Sequence, residues 1–382
     1  MRKIALCLAA LLWMTVLPVP VQGAQLQVAG KSALLMDVAT GTVLYESNAH
    51  EALAPASVTK IMTMLLIMEA VDSGRIAMTD TVTASESAAA KGGSQVYLKV
   101  GECMSVSDML KSIAVSSAND CACAMAEHIA GSEEAFVGRM NEKAKALGMN
   151  DTNFVNCTGL DDGEDASRHR TSAYDIALMS RELLKNHPAI KGYTTIWMDT
   201  IRDGTFGLSN TNKLVRFYQG ATGLKTGFTS GAGYCLSATA ERDGMELIAV
   251  VMGAETSAAR NNACKQLLDY GFANFALVCP ELAETADVPV KLGKAPAVGV
   301  RLGGDGALLV EKGQKNRITS DIALEPYVTA PVSQGQRIGT MTIRSGEQVL
   351  SEVPLLAAEG IERLDWGDLF VTAMKRASMA KT

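Results

Sequence analysis

The sequence predicts an α+β protein, in which an antiparallel sheet is flanked by helices with a helical subdomain and is followed by a small all-β domain and a C-terminal amphipathic helix. Three observations support this prediction. Two hairpin-like strand pairs lie far apart, helical patterns fill the stretch between them, and short β-like runs follow Cys279 and Pro280. At 382 residues the chain exceeds one typical core, so we expect two folded domains.

The first residues have the pattern of a signal peptide. Arg2 and Lys3 form a basic start, an apolar run extends from Ile4 to Leu17, and small residues precede Ala24. This run is shorter than the roughly 20 residues that span a bilayer. We therefore predict that residues 1–23 are a signal peptide and that the chain is exported. An uncleaved anchor is the alternative.

The two strand pairs define the predicted sheet. Ala33–Asp37 and Thr42–Glu46 flank a turn that contains Gly41, and Gly233–Ala240 and Met245–Met252 form the second pair. Since the pairs stand at both ends of a long helical stretch, they predict one antiparallel sheet built from distant parts of the chain.

The helical stretch begins with Ser57–Asp72, which is apolar around almost its whole circumference. A helix without a polar face must be buried. The helix at Ser132–Leu147 has Ser132 as N-cap and two glutamates in its first turn. The other predicted helices are Ser107–Val115, Cys121–Ile129, Thr171–Leu184 and Ala258–Phe275.

The remaining part of the chain is predicted to form a β domain and a tail. Short β-like runs separated by Gly and Pro occupy Pro289–Leu292, Val298–Leu302, Ala307–Val310 and Gly339–Ile343. We assign residues 24–278 to the first domain, 279–358 to the β domain and 359–382 to an amphipathic helix. That helix has Trp366, Phe370 and late basic residues, a pattern typical of helices in a membrane interface; packing on the β domain or on a neighbouring chain is the alternative.

Charge and cysteine usage limit the function. The formal net charge is −6, and it becomes −8 without Arg2 and Lys3 because residues 1–23 contain no acidic side chain. An acidic chain without basic clusters is not expected to bind nucleic acid. Seven cysteines follow the signal segment at spacings that match no zinc site, so we interpret them mostly as buried free thiols; for Cys121 and Cys123 a metal or redox role is the alternative. No metal or cofactor is expected.

The first candidate site pairs Ser57 with Lys60. A serine hydroxyl is a poor nucleophile at neutral pH and needs a neighbouring base. Lys60, at position i+3, lies on the same face of the predicted helix and can take the Ser57 proton if its amine is neutral, which burial and a nearby Lys225 favour. The four histidines form no H-E-x-x-H pattern and no G-x-S-x-G is present, so zinc hydrolases and α/β-hydrolases are disfavoured.

Two further motifs complete the site. Ser117 and Asn119 fall between two predicted helices, where the hydroxyl can relay a proton to the leaving amine and the amide can hold a substrate carbonyl. Lys225-Thr226-Gly227 suits an edge strand, with Lys225 and Thr226 binding a carboxylate and Gly227 permitting close approach of a substrate. Arg260 is a weaker candidate for the same carboxylate, since an arginine at a helix start is often only solvated.

These motifs, S-x-x-K, S-x-N and K-T-G in that order, resemble those of the serine penicillin-binding proteins and class A β-lactamases. The flanks Ala54-Pro55-Ala56, Thr158-Gly159-Leu160-Asp161 and Gly223-Leu224 are similar to those of low-molecular-mass D-alanyl-D-alanine carboxypeptidases, especially the sporulation-type enzymes of Gram-positive bacteria. Ala118 departs from the glycine more common in that family. His169, which follows the second flank, is interpreted as structural.

The resemblance implies a transpeptidase/β-lactamase-like fold and removal of the terminal D-alanine from peptidoglycan stem peptides at the outer face of the cytoplasmic membrane or in the cell wall. It also implies acylation of Ser57 by β-lactams, an oxyanion hole formed by the N–H groups of Ser57 and Phe228, and membrane contact through the C-terminal helix. Two alternatives stay open. A class A-like β-lactamase needs an E-x-x-L-N stretch that residues 150–184 lack, and a silent wall-binding scaffold needs no intact set of Ser57, Lys60 and Lys225.

Overall fold

The structure, a computed structural model, describes residues 26–161, 165–282, 287–304, 306–368 and 370. The predicted signal peptide at residues 1–23 lies outside the described residues. Within them, no helix is both long enough and apolar enough to span a membrane.

The helices and strands, numbered along the chain, are as follows. The α-helices are α1 Lys60–Asp72, α2 Glu86–Ala89, α3 Val106–Ser116, α4 Asn119–Ala130, α5 Glu133–Ala146, α6 Ala173–Asn186, α7 Lys191–Thr194, α8 Leu214–Phe217 and α9 Ser257–Asn274. The strands are β1 Ser32–Asp37, β2 Val43–Ser47, β3 Thr81–Thr83, β4 Cys103–Ser105, β5 Met198–Ile201, β6 Phe206–Ser209, β7 Ala221–Thr229, β8 Gly233–Arg242, β9 Met245–Ala254, β10 Phe275–Val278, β11 Asp287–Lys291, β12 Ala297–Leu302, β13 Leu308–Glu311, β14 Ile318–Leu324, β15 Val328–Thr329, β16 Arg337–Ser345 and β17 Gln348–Ala357.

The central sheet has the strand order β2-β1-β9-β8-β7 and is antiparallel throughout. Its middle strand β9 joins β1 from the start of the chain to the β8 hairpin partner, so the prediction of one sheet assembled from distant pieces is confirmed. Strand β7 stands at the sheet edge, which places the Lys225 motif where an edge strand was predicted.

Helix starts follow from local capping. Ser105, Ser132, Ser172 and Thr256 each accept a hydrogen bond from the backbone N–H three residues later, at the start of α3, α5, α6 and α9. Helix α1 is buried along almost its whole length, with side chains from Ile61 to Met68 in the main core. Since this helix has no polar face, it lies inside, packed against α3, α4 and α6.

The C-terminal part forms a six-stranded sheet in the order β14-β16-β17-β12-β11-β15. Its two apolar clusters are centred on Val288, Ile338, Met341 and Leu355. The run predicted at Ala307–Val310 is a strand, but β13 pairs with β10 in a separate two-stranded sheet. The pairing joins the segment after α9 to the β domain.

The tail begins differently from the prediction. The amphipathic helix was expected from Glu359, but Ile361 is only 5% exposed and forms a β-bridge with Val332, so this stretch belongs to the β-domain core. Helical structure starts at Trp366, whose side chain is 89% exposed. Residues 371–382 of the predicted helix lie outside the described part of the chain.

Candidate active site

The turn that carries Ser57 is a 3-10 helix, Ala56–Thr59, and the α-helix begins only at Lys60. The prediction of an α-helix from Ser57 was therefore wrong at its first turn. Ala56 has a φ of 49°, in the left-handed region, which α-helical backbone does not allow. Gly159 fits against this turn, since a Cβ atom there would lie 1.9 Å from the Ala56 carbonyl oxygen.

Lys60 is the base candidate and is fully buried. Its Nζ atom lies 3.0 Å from Ser57 Oγ and donates to the Thr158 carbonyl over 2.6 Å. Burial lowers the pKa of Lys60 to about 7, against the weaker opposing effects of Cys157 and Asp120. A neutral amine is therefore accessible near neutral pH and can accept the Ser57 proton.

His169 forms hydrogen bonds that hold the same turn. It is 3% exposed, and burial, with Arg170 and Lys60, lowers its pKa to about 4, so the ring is neutral. Its Nδ1 atom accepts from the Val155 N–H over 3.1 Å, which leaves Nε2–H to donate to Thr59 Oγ1 over 2.8 Å. That hydroxyl donates to the Ala56 carbonyl, also over 2.8 Å. These contacts fit the structural interpretation of His169.

Ser117 and Asn119 stand at the junction of α3 and α4. Ser117 ends α3 with a φ of 63°, and Asn119 is the first residue of α4. Among the described residues, Ser117 Oγ and Asn119 Oδ1 are buried without a hydrogen-bond partner. Such groups are costly unless a ligand uses them. The Asn119 amide nitrogen donates to the Gly92 carbonyl over 2.7 Å, which fixes the side-chain orientation.

Lys225 lies on β7 and is 1% exposed. Its Nζ atom donates to the Thr226 carbonyl over 2.9 Å, and no carboxylate pairs with it among the described residues. Burial, followed by the charges of Lys60 and Arg260, holds the pKa of Lys225 well below its usual range. A bound anion would offset this repulsion.

The rest of the K-T-G motif lies beside the nucleophile turn. Thr226 Oγ1 is 2.7 Å from Thr211 Oγ1. A Cβ atom on Gly227 would lie 2.8 Å from the Pro55 carbonyl oxygen and 3.0 Å from the Val58 nitrogen. The close approach that needs this glycine is therefore already made by the Ser57 turn. Phe228 is 54% exposed and its ring lies on that of Tyr234.

Arg260, in the first turn of α9, is not a solvated helix end. The side chain is buried, at 4% exposure, and its guanidinium donates to the Cys235 carbonyl, Ser257 Oγ and Asn261 Oδ1. Its charge lowers the pKa of Lys225, so the two cations lie in the same electrostatic environment. The structure thus brings Arg260 close to the Lys225 motif.

Sequence reasoning missed the groups that hold these side chains. The Thr158 carbonyl, which accepts from Lys60, belongs to a loop ordered by Asn156, whose Oδ1 accepts from the N–H groups of Thr158 and Gly159. Asp120 accepts from the N–H groups of Val96 and Leu98, far back in the chain. A carbonyl acceptor and a buried carboxylate leave no pattern in sequence.

The cysteines lie mainly in the interior. Cys121, Cys123, Cys157, Cys235 and Cys264 are buried, whereas Cys103 and Cys279 are exposed, which confirms the expectation of mostly buried thiols. Within the described ranges, no group of His, Cys, Asp and Glu side chains is arranged to hold a metal ion.

Two models of known protein families match the chain, one in its first part and one in its second. A family model described as D-alanyl-D-alanine carboxypeptidase matches residues 20–256, more than half of the chain. A second model, described as the C-terminal domain of penicillin-binding protein 5, matches residues 283–363. The order of the two matches agrees with the observed order of the central sheet and the β domain.

Individual relatives match most of the chain, in sequence and in structure. The D-alanyl-D-alanine carboxypeptidase DacF of Bacillus subtilis is 44% identical over 352 residues, which are 91% of this chain and 88% of the relative. The crystal structure of penicillin-binding protein 5 from Haemophilus influenzae has a TM-score of 0.73 at 30% identity and covers 89% of this chain and 99% of its own.

A third relative matches a smaller share of the chain. Penicillin-binding protein D2 of Listeria monocytogenes, in its ampicillin-bound form, has a TM-score of 0.59 at 33% identity over 65% of this chain and 99% of its own. The resemblance seen in the three sequence motifs is therefore confirmed. The chain belongs to the D-alanyl-D-alanine carboxypeptidase family and is a serine hydrolase of the penicillin-binding protein type.

Proposed function

We propose that Ser57 is the nucleophile of this carboxypeptidase and Lys60 its general base. The observation that carries this assignment is the buried Lys60 amine, 3.0 Å from Ser57 Oγ, with a pKa lowered to about 7. Lys60 takes the Ser57 proton as the oxygen attacks the carbonyl between two D-alanines. Ser117 passes a proton to the leaving D-alanine, and water then releases the shortened stem peptide from Ser57.

Substrate binding is assigned to the groups around this pair. Asn119 holds the peptide carbonyl of the stem through the second N–H of its side-chain amide, since the first is donated to the Gly92 carbonyl. Lys225 with Thr226 binds the terminal carboxylate, and Arg260 adds positive charge nearby. The backbone N–H groups of Ser57 and Phe228 form the oxyanion hole, as the family resemblance implies. One such donor contributes about 3 kcal/mol to lowering the barrier.

β-Lactams are the inhibitors that this site would accept, since their ring amide imitates the scissile bond. Incubation with fluorescent penicillin tests the assignment. Lasting label is expected on the wild-type chain and none on Ser57→Ala or Lys60→Ala, with circular dichroism showing both variants folded. Rapid turnover would indicate a β-lactamase, and no wild-type label a silent scaffold. Full labelling of Lys60→Ala would remove Lys60 from the mechanism.

The place of action follows from the substrate. Members of this family act on the cell wall, outside the cytoplasm. We propose that residues 1–23 direct export, that residues 24–278 form the catalytic domain and 279–358 the β domain, and that the tail contacts the outer face of the membrane. Trp366 and Phe370, 89% and 68% exposed, support membrane contact.

Vesicle binding tests the tail. The deletion should begin at Trp366 instead of Glu359, because Ile361 belongs to the β-domain core. We expect the shortened chain to lose binding to anionic vesicles while its penicillin acylation stays unchanged. Equal vesicle binding by the shortened and full chains would contradict the membrane role.

A further inference from the structure

Two main-chain carbonyls hold the side chains on which the proposed function rests. The Thr158 carbonyl accepts from Lys60 Nζ over 2.6 Å, and the Gly92 carbonyl accepts from Asn119 Nδ2 over 2.7 Å. They belong to different loops, separated along the chain by α3, α4 and α5. Movement of either loop would turn its side chain away from the substrate.

One carboxylate, that of Glu133, contacts the residue before each of these carbonyls. Glu133 Oε2 lies 2.5 Å from the Lys91 ammonium, and Oε1 accepts from the Cys157 N–H over 3.2 Å and from the Cys157 thiol over 3.1 Å. The Cys123 thiol of α4 lies 3.8 Å from Oε2. Lys91 precedes Gly92 and Cys157 precedes Thr158, so both loops are tied to the same group.

The carboxylate is charged in this position. Burial raises the pKa of Glu133, but the hydrogen bonds from Lys91 and Cys157 lower it by more, and the net pKa falls below its usual value. An ionised carboxylate only accepts hydrogen bonds, and the Lys91 ammonium, the Cys157 N–H and the Cys157 and Cys123 thiols that contact it can each donate one. An amide of the same shape would turn a donor toward Lys91 or Cys157.

Helix stability alone does not require this arrangement. Acidic residues in a first turn interact favourably with the helix dipole, and both Glu133 and Glu134 have that position in α5. Glu134 is exposed, whereas the Glu133 side chain is 19% exposed and points to the two loops. The contacts to Lys91 and Cys157 are therefore additional to helix capping.

We propose that Glu133 is a positioning residue that holds the Thr158 and Gly92 carbonyls in place, and through them Lys60 and Asn119. The proposal rests on the proposed roles of Lys60 and Asn119. Its test compares variants with the wild-type chain, so failure of the wild type to acylate would count against those roles, and unchanged variants would count against Glu133.

The test is the saturation kinetics of penicillin acylation for Glu133→Gln, normalised to titrated active sites. We expect a weaker binding constant through Asn119 and a slower acylation step through Lys60. Together they should lower the second-order constant by roughly 10- to 100-fold, the scale of a small misplacement of reacting groups. The matched control Glu134→Gln removes the same charge from the same helix turn and should behave as wild type. A purely structural role would lower the melting temperature and leave the rate per site unchanged.

Two more variants separate the effect through Asn119 from the effect through Lys60. In an Asn119→Ala background, Glu133→Gln should cost less than in the wild type, because one of its two routes is already lost. Lys91→Met keeps the contacts between Glu133 and Cys157, so it should weaken penicillin binding without slowing the acylation step. Because the Lys91 side chain is 23% exposed, this variant can be made even if Glu133→Gln does not fold. If the double variant loses the full product of the two single-variant losses, the two residues act independently and the proposal is wrong. Wild-type kinetics in Lys91→Met would also overturn it.

Discussion

Lys60 and Lys225 are two buried amines within one charge environment. Each loses water on folding, and the charge of Lys60 further lowers the pKa of Lys225. The Lys60 amine, beside the Ser57 hydroxyl, has a pKa of about 7, while the Lys225 amine donates to the Thr226 carbonyl. The same residue type thus lies in two different settings, and these fit the two proposed roles, proton acceptor and carboxylate ligand.

The proposed role of Lys60 as general base predicts the pH dependence of acylation. Only its neutral form accepts the Ser57 proton, and the pKa of about 7 means that this form increases as pH rises through neutrality. We expect the second-order constant for penicillin acylation to rise with pH, with a midpoint near 7, in stopped-flow or gel measurements. Lys60→Arg, protonated at every accessible pH, should be inactive throughout. A flat profile across neutrality would contradict the assignment.

Binding of the substrate's terminal carboxylate provides a test of Lys225. If Lys225 binds the terminal carboxylate, Lys225→Ala should lower kcat/KM for a free D-Ala-D-Ala terminus. A charge-assisted hydrogen bond of this kind is worth about 1.5 to 3 kcal/mol, or roughly 10- to 150-fold. The amidated peptide is the control and should change little. Equal losses on both peptides would assign Lys225 to proton transfer or to tuning of Lys60.

The turn that carries Ser57 is held by a loop about 100 residues later in the chain. The loop Asn156–Leu160 supplies the Thr158 carbonyl to Lys60, and its Gly159 packs on Ala56. Gly159 has a φ of +84°, and the space where a side chain would begin is occupied by the Ala56 carbonyl. The loop and the turn can therefore move only together.

Gly159→Ala tests this coupling. We expect the variant to lose penicillin acylation, because the new methyl group must displace the turn that carries Ser57. Gly148→Ala is the control: Gly148 has a φ of +73° but nothing within 4 Å of the added Cβ. Both variants pay the left-handed backbone penalty of about 1 kcal/mol, so their melting temperatures should both fall. Acylation by Gly159→Ala at the rate of Gly148→Ala would show that the contact is not needed.

Local signals explain what the sequence predicts well. The cap at Ser132 involves only the next turn, and the observed bond from the Ala135 N–H has the expected form. The place of Lys225-Thr226-Gly227 just before the β8–β9 strand pair was enough to predict an edge strand. By contrast, the left-handed Ala56 depends on Gly159 and Gly227, which are distant in sequence, so the first turn of the Ser57 helix was predicted wrongly.

Long-range pairings limited the prediction of the site and of the β domain. The roles of Glu133 and Asp120 arise from loops that reach them through the fold, and a single carboxylate in sequence does not identify its partners. Strand β13 was predicted from its own residues, yet its partner β10 lies before the predicted domain boundary. The sequence pattern therefore predicts that a strand such as β13 forms, but its pairing partner depends on the packing of the whole chain.

For the whole molecule, the division into domains can be tested by truncation. A chain that ends at Leu282 keeps the central sheet, its helices and the Ser57 site. We expect its penicillin acylation constant to equal that of the full chain. Its melting temperature should be lower, since β10 loses β13 and exposes Ala276. An unfolded or inactive product would show that the β domain is part of the catalytic fold.

The position of β1 between β2 and β9 also constrains the order of folding. Asp37 pairs with Leu247, so the central sheet on which α6 packs cannot close until β9 has been synthesised. Until then the apolar face of α6, which packs on β1 and β9, lacks its partner strand β9. Contacts of such large sequence separation slow folding, and the exposed apolar surface favours aggregation in the meantime. A core that is completed only by β9 therefore leaves the newly made chain open to aggregation until its ninth strand arrives.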